Sequence, residues 1–217
     1  MSLFRSGTVL FIASMAGNLC NYLFQFFMSR NLPLDDYGAL NAALSLTAII
    51  GIPTGTVMMV VARYASTFNA REEAGNIAVF YRNSLLWMTL AGALFFAVMW
   101  ALSAPIAEYL KIRSPFTIII VGAGLFLSFI LTVNMGMLQG LQKFSIFGAG
   151  IWLGAAARLA LGILLVVSGL GLNGAVAATV LPGLLVIALT LPPLSKRLKR
   201  KPGAAKATTD IIGYSVP

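Results

Sequence analysis

Six stretches of about twenty residues, at 7–28, 38–61, 83–102, 115–138, 147–167 and 174–191, contain a single charged side chain between them, Arg158. They leave this chain one solvent to fold in. A hydrocarbon core about 30 Å thick takes roughly 20 apolar residues as a helix. Within it, backbone groups must bond inside their own segment, so such runs become helices. The pattern predicts an all-α fold: a polytopic membrane protein with six transmembrane helices. Composition agrees, with 59% hydrophobic and 10% charged residues, against about a quarter charged in soluble domains. A mean hydropathy of +0.91 leaves no room for a sizeable water-soluble domain. The first run follows Arg5 as a signal peptide would, yet it is too long and lacks a small-residue cleavage site, so it reads as a retained helix.

Cytoplasmic loops carry the excess of Lys and Arg. With the N-terminus inside, eleven of these residues fall on the inner side (Arg5, Arg63, Arg71, Arg82, Lys143 and six between 196 and 206). Three fall outside: Arg30, Lys111 and Arg113. Both termini are therefore expected in the cytoplasm, and most of the net charge of +9 is a topology signal. The basic tail reads as a headgroup-facing segment and not as a nucleic-acid site. Three regions follow: a six-helix membrane lobe at 1–193, a basic cytoplasmic linker at 194–210, and at 211–217 an apolar opening of a seventh helix. That opening predicts a longer protein, the alternative being a disordered tail.

No His and one Cys exclude an imidazole-based metal site, a Ser-His-Asp triad and an internal disulfide. No cofactor is expected. All six acidic residues lie outside the spans, so an enzyme would have few acids and bases to use, and a membrane glycosyltransferase is a weak rival. Asp35-Asp36 reads as the start of the second helix and not as a metal site.

Polar groups inside a span must be satisfied by other helices or line a hydrated path. Ser14, Asn18, Asn21 and Gln25 follow at steps of four, three and four, which puts them on one face of the first helix. The stripe is either the wall of a substrate path or a set of interhelical hydrogen bonds. Arg158 lies near the middle of the fifth span, where a cation costs about 2.5–3.5 kcal/mol. It is either a cavity-lining cation for an anionic substrate or a cation held by helix-end carbonyls or by Asn134 of the fourth span. Gly150, Gly154 and Gly162 share its side of the helix. Gly136 and Gly140 predict close helix packing, and Gly51, Pro53 and Gly55 predict a break in the second helix. Residues 169–174 match G-x-G-x-x-G but lack a preceding strand, so they predict a tight outer turn.

Four segments together resemble a known group: Asn-Leu-Pro-Leu-Asp-Asp-Tyr-Gly at 31–38, Ala-Arg-Tyr-Ala-Ser at 62–66, Leu-Gln-Gly-Leu-Gln-Lys-Phe at 138–144 and Gly-Leu-Gly-Leu-Asn-Gly-Ala at 169–175. In order and spacing the chain is similar to bacterial polysaccharide biosynthesis proteins of the multidrug/oligosaccharidyl-lipid/polysaccharide flippase superfamily. The resemblance implies two six-helix lobes around a cavity that opens alternately to either side. It implies residence in the bacterial cytoplasmic membrane and movement of a lipid-linked anionic glycan to the outer leaflet. Arg158 would then meet the phosphate, and Ser14, Asn18, Asn21, Gln25 and Asn134 the sugar hydroxyls. Six helices supply only the first lobe, so a second lobe or a homodimer partner is expected, with membrane lipids around both. The rivals are a non-transporting scaffold or assembly subunit, and a multidrug cation antiporter. The antiporter would call for an intramembrane carboxylate, which these spans lack.

Overall fold

The computed structural model describes residues 2–198. Its helices are α1 (Ser2–Asn31), α2 (Leu34–Ala70), α3 (Ala74–Ala101), the short α4 (Ser103–Tyr109), α5 (Pro115–Gly140), α6 (Phe144–Leu165) and α7 (Gly171–Leu198). No strand occurs among the described residues. Five continuous stretches are long and apolar enough to cross a bilayer, the fifth being Phe144–Leu194. That stretch doubles back: Gly169 at φ 90° and Gly171 at φ 51° adopt a backbone that side-chain-bearing residues rarely take. A Cβ at Gly174 would lie 3.0 Å from the Leu165 carbonyl oxygen, and Gly154 faces Val186. α6 and α7 are therefore an antiparallel pair, which makes six spans, with the tight turn where the glycines predict it.

Helix starts follow ordinary chemistry. Ser114 accepts a hydrogen bond from the Phe116 amide ahead of Pro115 in the first turn of α5. Asp35 and Asp36 occupy the first turn of α2, where carboxylates complement the helix dipole. Asp35 also pairs with Arg113 at 3.3 Å on the exposed surface. Three helix ends share one device. After α2, α4 and α5 the amides of Glu73, Ile112 and Lys143 reach back to the carbonyls of Phe68, Ala107 and Leu138. Glu72, Lys111 and Gln142 take the left-handed position in between, at φ 56°, 54° and 55°. This place usually belongs to glycine.

α5 is the hub, packed on α2, α3 and α7. α1 packs along α6 and barely touches α2. Close approach of α2 to α5 rests on the glycine pair: a Cβ at Gly136 would lie 2.8 Å from the Met58 carbonyl oxygen, and one at Gly140 would collide with the Ala62 carbonyl. The expected break in α2 does not occur. The helix runs through Pro53, and a Cβ at Gly51 or Gly55 would meet nothing within 4 Å. Proline removes one backbone donor without ending the helix, and the Thr54 hydroxyl donates to the Ile50 and Gly51 carbonyls beside it. α7 likewise continues to Leu198, past position 194 where the sequence opens its linker. The rest of that linker and the segment 211–217 lie outside the described residues.

Candidate functional site

On α6 the exposed residues Trp152, Ala160, Ile163 and Leu164 form one side. At 100° per residue Arg158 lies opposite them, so it projects into the lobe. The pairings Gly17 with Ile151 and Ala155, and Gly162 with Phe24 and Met28, show that α1 runs parallel to α6. Arg158 thus stands level with Asn21 and Phe24. Its Nη1 donates to Asn21 Oδ1 at 3.3 Å, and its guanidinium lies 4.2 Å from the centre of the Phe24 ring. A cation over an aromatic face gains about 2 kcal/mol or more when desolvated, and Phe24 is fully buried. Gly162 makes room for that ring, since a Cβ there would lie 2.6 Å from it. The glycines flanking Arg158 therefore serve three neighbours, Gly150 facing Met135 of α5 and Val186 of α7, Gly154 facing α7 and Gly162 facing α1.

The guanidinium is incompletely matched. Arg158 Nε is buried without an acceptor, and one helical turn from Asn21 on the same face of α1 the Gln25 Oε1 atom is buried without a donor. No acidic side chain lies inside a span among the described residues. Ser14 and Gln25 are half-buried on the same stripe, and Asn18 is exposed. The stripe borders the α6 contact on one flank and the exposed apolar face of α1 on the other. The structure brings Arg158 and Asn21 into contact and sets Gln25 beside them. Asn18 and Ser14 continue the stripe toward the N-terminal end of α1.

Asn134 belongs elsewhere. It is fully buried, accepting from the Tyr81 hydroxyl at 2.8 Å and donating to the Thr190 hydroxyl at 3.1 Å. Thr190 in turn donates to the Ile187 carbonyl at 3.1 Å. This network ties α3, α5 and α7 and takes up both ends of the amide, so Asn134 neither holds Arg158 nor offers it a bridge. The sequence reading missed Phe24, whose signal is its place three residues after Asn21 on a neighbouring face. It also missed Tyr81 and Thr190, which nothing in a single sequence pairs with Asn134. Among the described residues no three His, Cys, Asp or Glu side chains come together as metal ligands.

An all-helical bundle of bilayer-length apolar helices, with one cation buried among polar side chains, defines a multi-pass membrane protein. Its fold is similar to that of a solved MOP superfamily transporter from Pyrococcus furiosus, with a TM-score of 0.74 and 19% sequence identity over 89% of this chain. The chain spans 44% of that transporter's length. No family model and no curated protein matches the sequence. The likeness establishes the lobe fold that the sequence resemblance implies.

Proposed function

We propose that this chain is one lobe of a membrane transporter that moves an anionic lipid-linked glycan, an oligosaccharide or polysaccharide precursor, across the cytoplasmic membrane by alternating access. One observation carries the reading: Arg158 is an intramembrane cation with a free donor and no acidic side chain to neutralise it among the described spans. A buried charge without a counter-charge is costly, and a substrate phosphate supplies one. The polar stripe of Ser14, Asn18, Asn21 and Gln25 offers hydrogen bonds to sugar hydroxyls while lipid tails stay in the bilayer. Asn134 is reserved for a path through the α3–α5–α7 side should its network open. Both termini lie in the cytoplasm, and a second lobe or a second copy completes the cavity.

The test is transbilayer movement of a lipid-linked oligosaccharide by the full-length protein in proteoliposomes. Arg158→Ala is expected to slow it at least tenfold, with Arg158→Lys retaining part of the rate because it keeps the charge but not the planar fork. Wild-type movement by Arg158→Ala overturns the reading. A second reading, a packing scaffold, draws on the contacts Arg158 already makes with Asn21 and Phe24. It predicts that Arg158→Ala lowers thermal stability and that no substrate moves even in the wild type.

A further inference from the structure

Of the two unmatched atoms in the α1–α6 groove, one is a donor and the other an acceptor. Arg158 Nε seeks a lone pair, and Gln25 Oε1 seeks a proton. Gln25 follows by one turn the Asn21 that bonds Arg158, so it shares the α1 face from which Asn21 reaches the guanidinium. A bare anion satisfies Arg158 and leaves Gln25 orphaned; a neutral hydroxyl can donate to Gln25 and accept from Arg158 but leaves the guanidinium without a counter-charge. We propose that Gln25 and Arg158 together select a phosphate ester bearing a hydroxyl on the adjoining carbon skeleton. A phosphate oxygen accepts from Arg158 Nε while the hydroxyl donates to Gln25 Oε1. Asn21, whose oxygen is occupied by Arg158 Nη1, is a positioning residue in this arrangement and Gln25 the specificity-determining one. The assignment rests on the anion-site reading of Arg158 and adds to it the chemistry beside the phosphate.

A leftover buried acceptor is expensive enough to discriminate: enzymes and receptors built to bond a hydroxyl reject the analogue lacking it. The probes are 2-hydroxyethyl phosphate and ethyl phosphate, alike in charge and close in size. Their affinities are read from ligand-dependent melting of the full-length protein in nanodiscs. Wild type is expected to bind the hydroxylated ester about tenfold more tightly. Gln25→Met is expected to bring the ratio to about one while keeping the ethyl phosphate affinity, and Arg158→Gln to weaken both probes at least tenfold. Should Gln25→Met not fold, Gln25→Glu serves: its carboxylate pairs with Arg158 and excludes both probes.

Equal wild-type affinities overturn the hydroxyl assignment and leave the anion site standing, as does a preference that survives Gln25→Met. Undiminished ethyl phosphate binding by Gln25→Glu also overturns it, because the side chain then does not face Arg158. Unchanged binding by Arg158→Gln overturns the anion site itself, and with it the proposed function. Glucose 1-phosphate and glycerol 1-phosphate as further probes tell a glycosyl phosphate from a phosphoglycerol headgroup, and tighter binding of either than of ethyl phosphate supports the assignment.

Discussion

Replacing Tyr81 with Phe removes one hydroxyl from the centre of the bundle and leaves Asn134 Oδ1, fully buried, without its donor at 2.8 Å. Interhelical hydrogen bonds in membranes average about 0.6 kcal/mol, with a maximum near 1.7. An orphaned buried acceptor costs about 1–3 kcal/mol. The bond is short and Tyr81, Asn134 and Thr190 are all buried, so Tyr81→Phe is expected to cost about 1–2 kcal/mol. Asn134→Leu breaks two bonds but orphans one group. The Tyr81 hydroxyl is left without its acceptor, whereas the Thr190 hydroxyl still donates to Ile187. Its cost is therefore expected to be of the same order, about 1.5–2.5 kcal/mol.

The double variant removes both polar partners at once and leaves no unmatched group between α3 and α5. Its cost should fall short of the sum of the single costs by about 1 kcal/mol. Reversible unfolding in bicelles, run as a double-mutant cycle, measures that difference. Additivity to within about 0.5 kcal/mol would mean that the two side chains do not share a bond in the folded protein and would refute the network. Transport provides a second check. If Asn134→Leu abolishes movement per folded molecule while Tyr81→Phe leaves it intact, Asn134 lines the substrate path, as the sequence placed it.

Gly140→Val puts two methyl groups where the Ala62 carbonyl and Ala65 Cβ already stand. Backbone cannot give way as a flexible side chain does, so a loss of at least about 2 kcal/mol is expected, read as a lowered melting temperature in nanodiscs. Gly51→Ala is the opposite case: the added methyl meets nothing within 4 Å among the described residues, and helix propensity predicts a gain of roughly 0.5–1 kcal/mol by the same assay. A loss there would show that another chain or lobe packs against α2 at this point.

The six spans were legible because bilayer thickness fixes their length, and Gly169 and Gly171 were legible as a turn because positive φ selects glycine. Helix ends were not. Glu72, Lys111 and Gln142 take the left-handed place that usually announces itself as glycine, and the apolar span ends at 61, before Arg63, while α2 runs on to Ala70. Pro53 misleads in the other direction, because a proline costs one hydrogen bond and a long helix with neighbours absorbs it. At the site, helical spacing gathered Ser14, Asn18, Asn21 and Gln25 on one stripe and marked Arg158 as anomalous. Spacing along one helix cannot say which helix lies opposite, so Phe24 beneath the guanidinium and Tyr81 and Thr190 around Asn134 emerged only from the packing.

Where the remaining polar side chains are spent bears on which parts of the lobe can move. Thr117 donates to Asn173 at 2.7 Å near the N-terminal end of α5 and α7, and Asn134 donates to Thr190 nearer their C-terminal end. Both bonds span 56 positions. Equal offsets some 17 residues apart, about 25 Å along the axis, hold the two parallel helices in register at both ends, so neither can slide past the other without breaking a buried bond. α1 packs mainly on α6. It is held to α6 by Gly17, Gly162 and the Arg158–Asn21 bond, while α2 barely touches it. On the proposed reading a phosphate would accept from Arg158 Nε while Nη1 stays on Asn21, so binding would add to the contact between α1 and α6 and not replace it. The α5–α7 pair is held in register at both ends, and the candidate site lies on the α1–α6 pair, of which α6 also packs against α7.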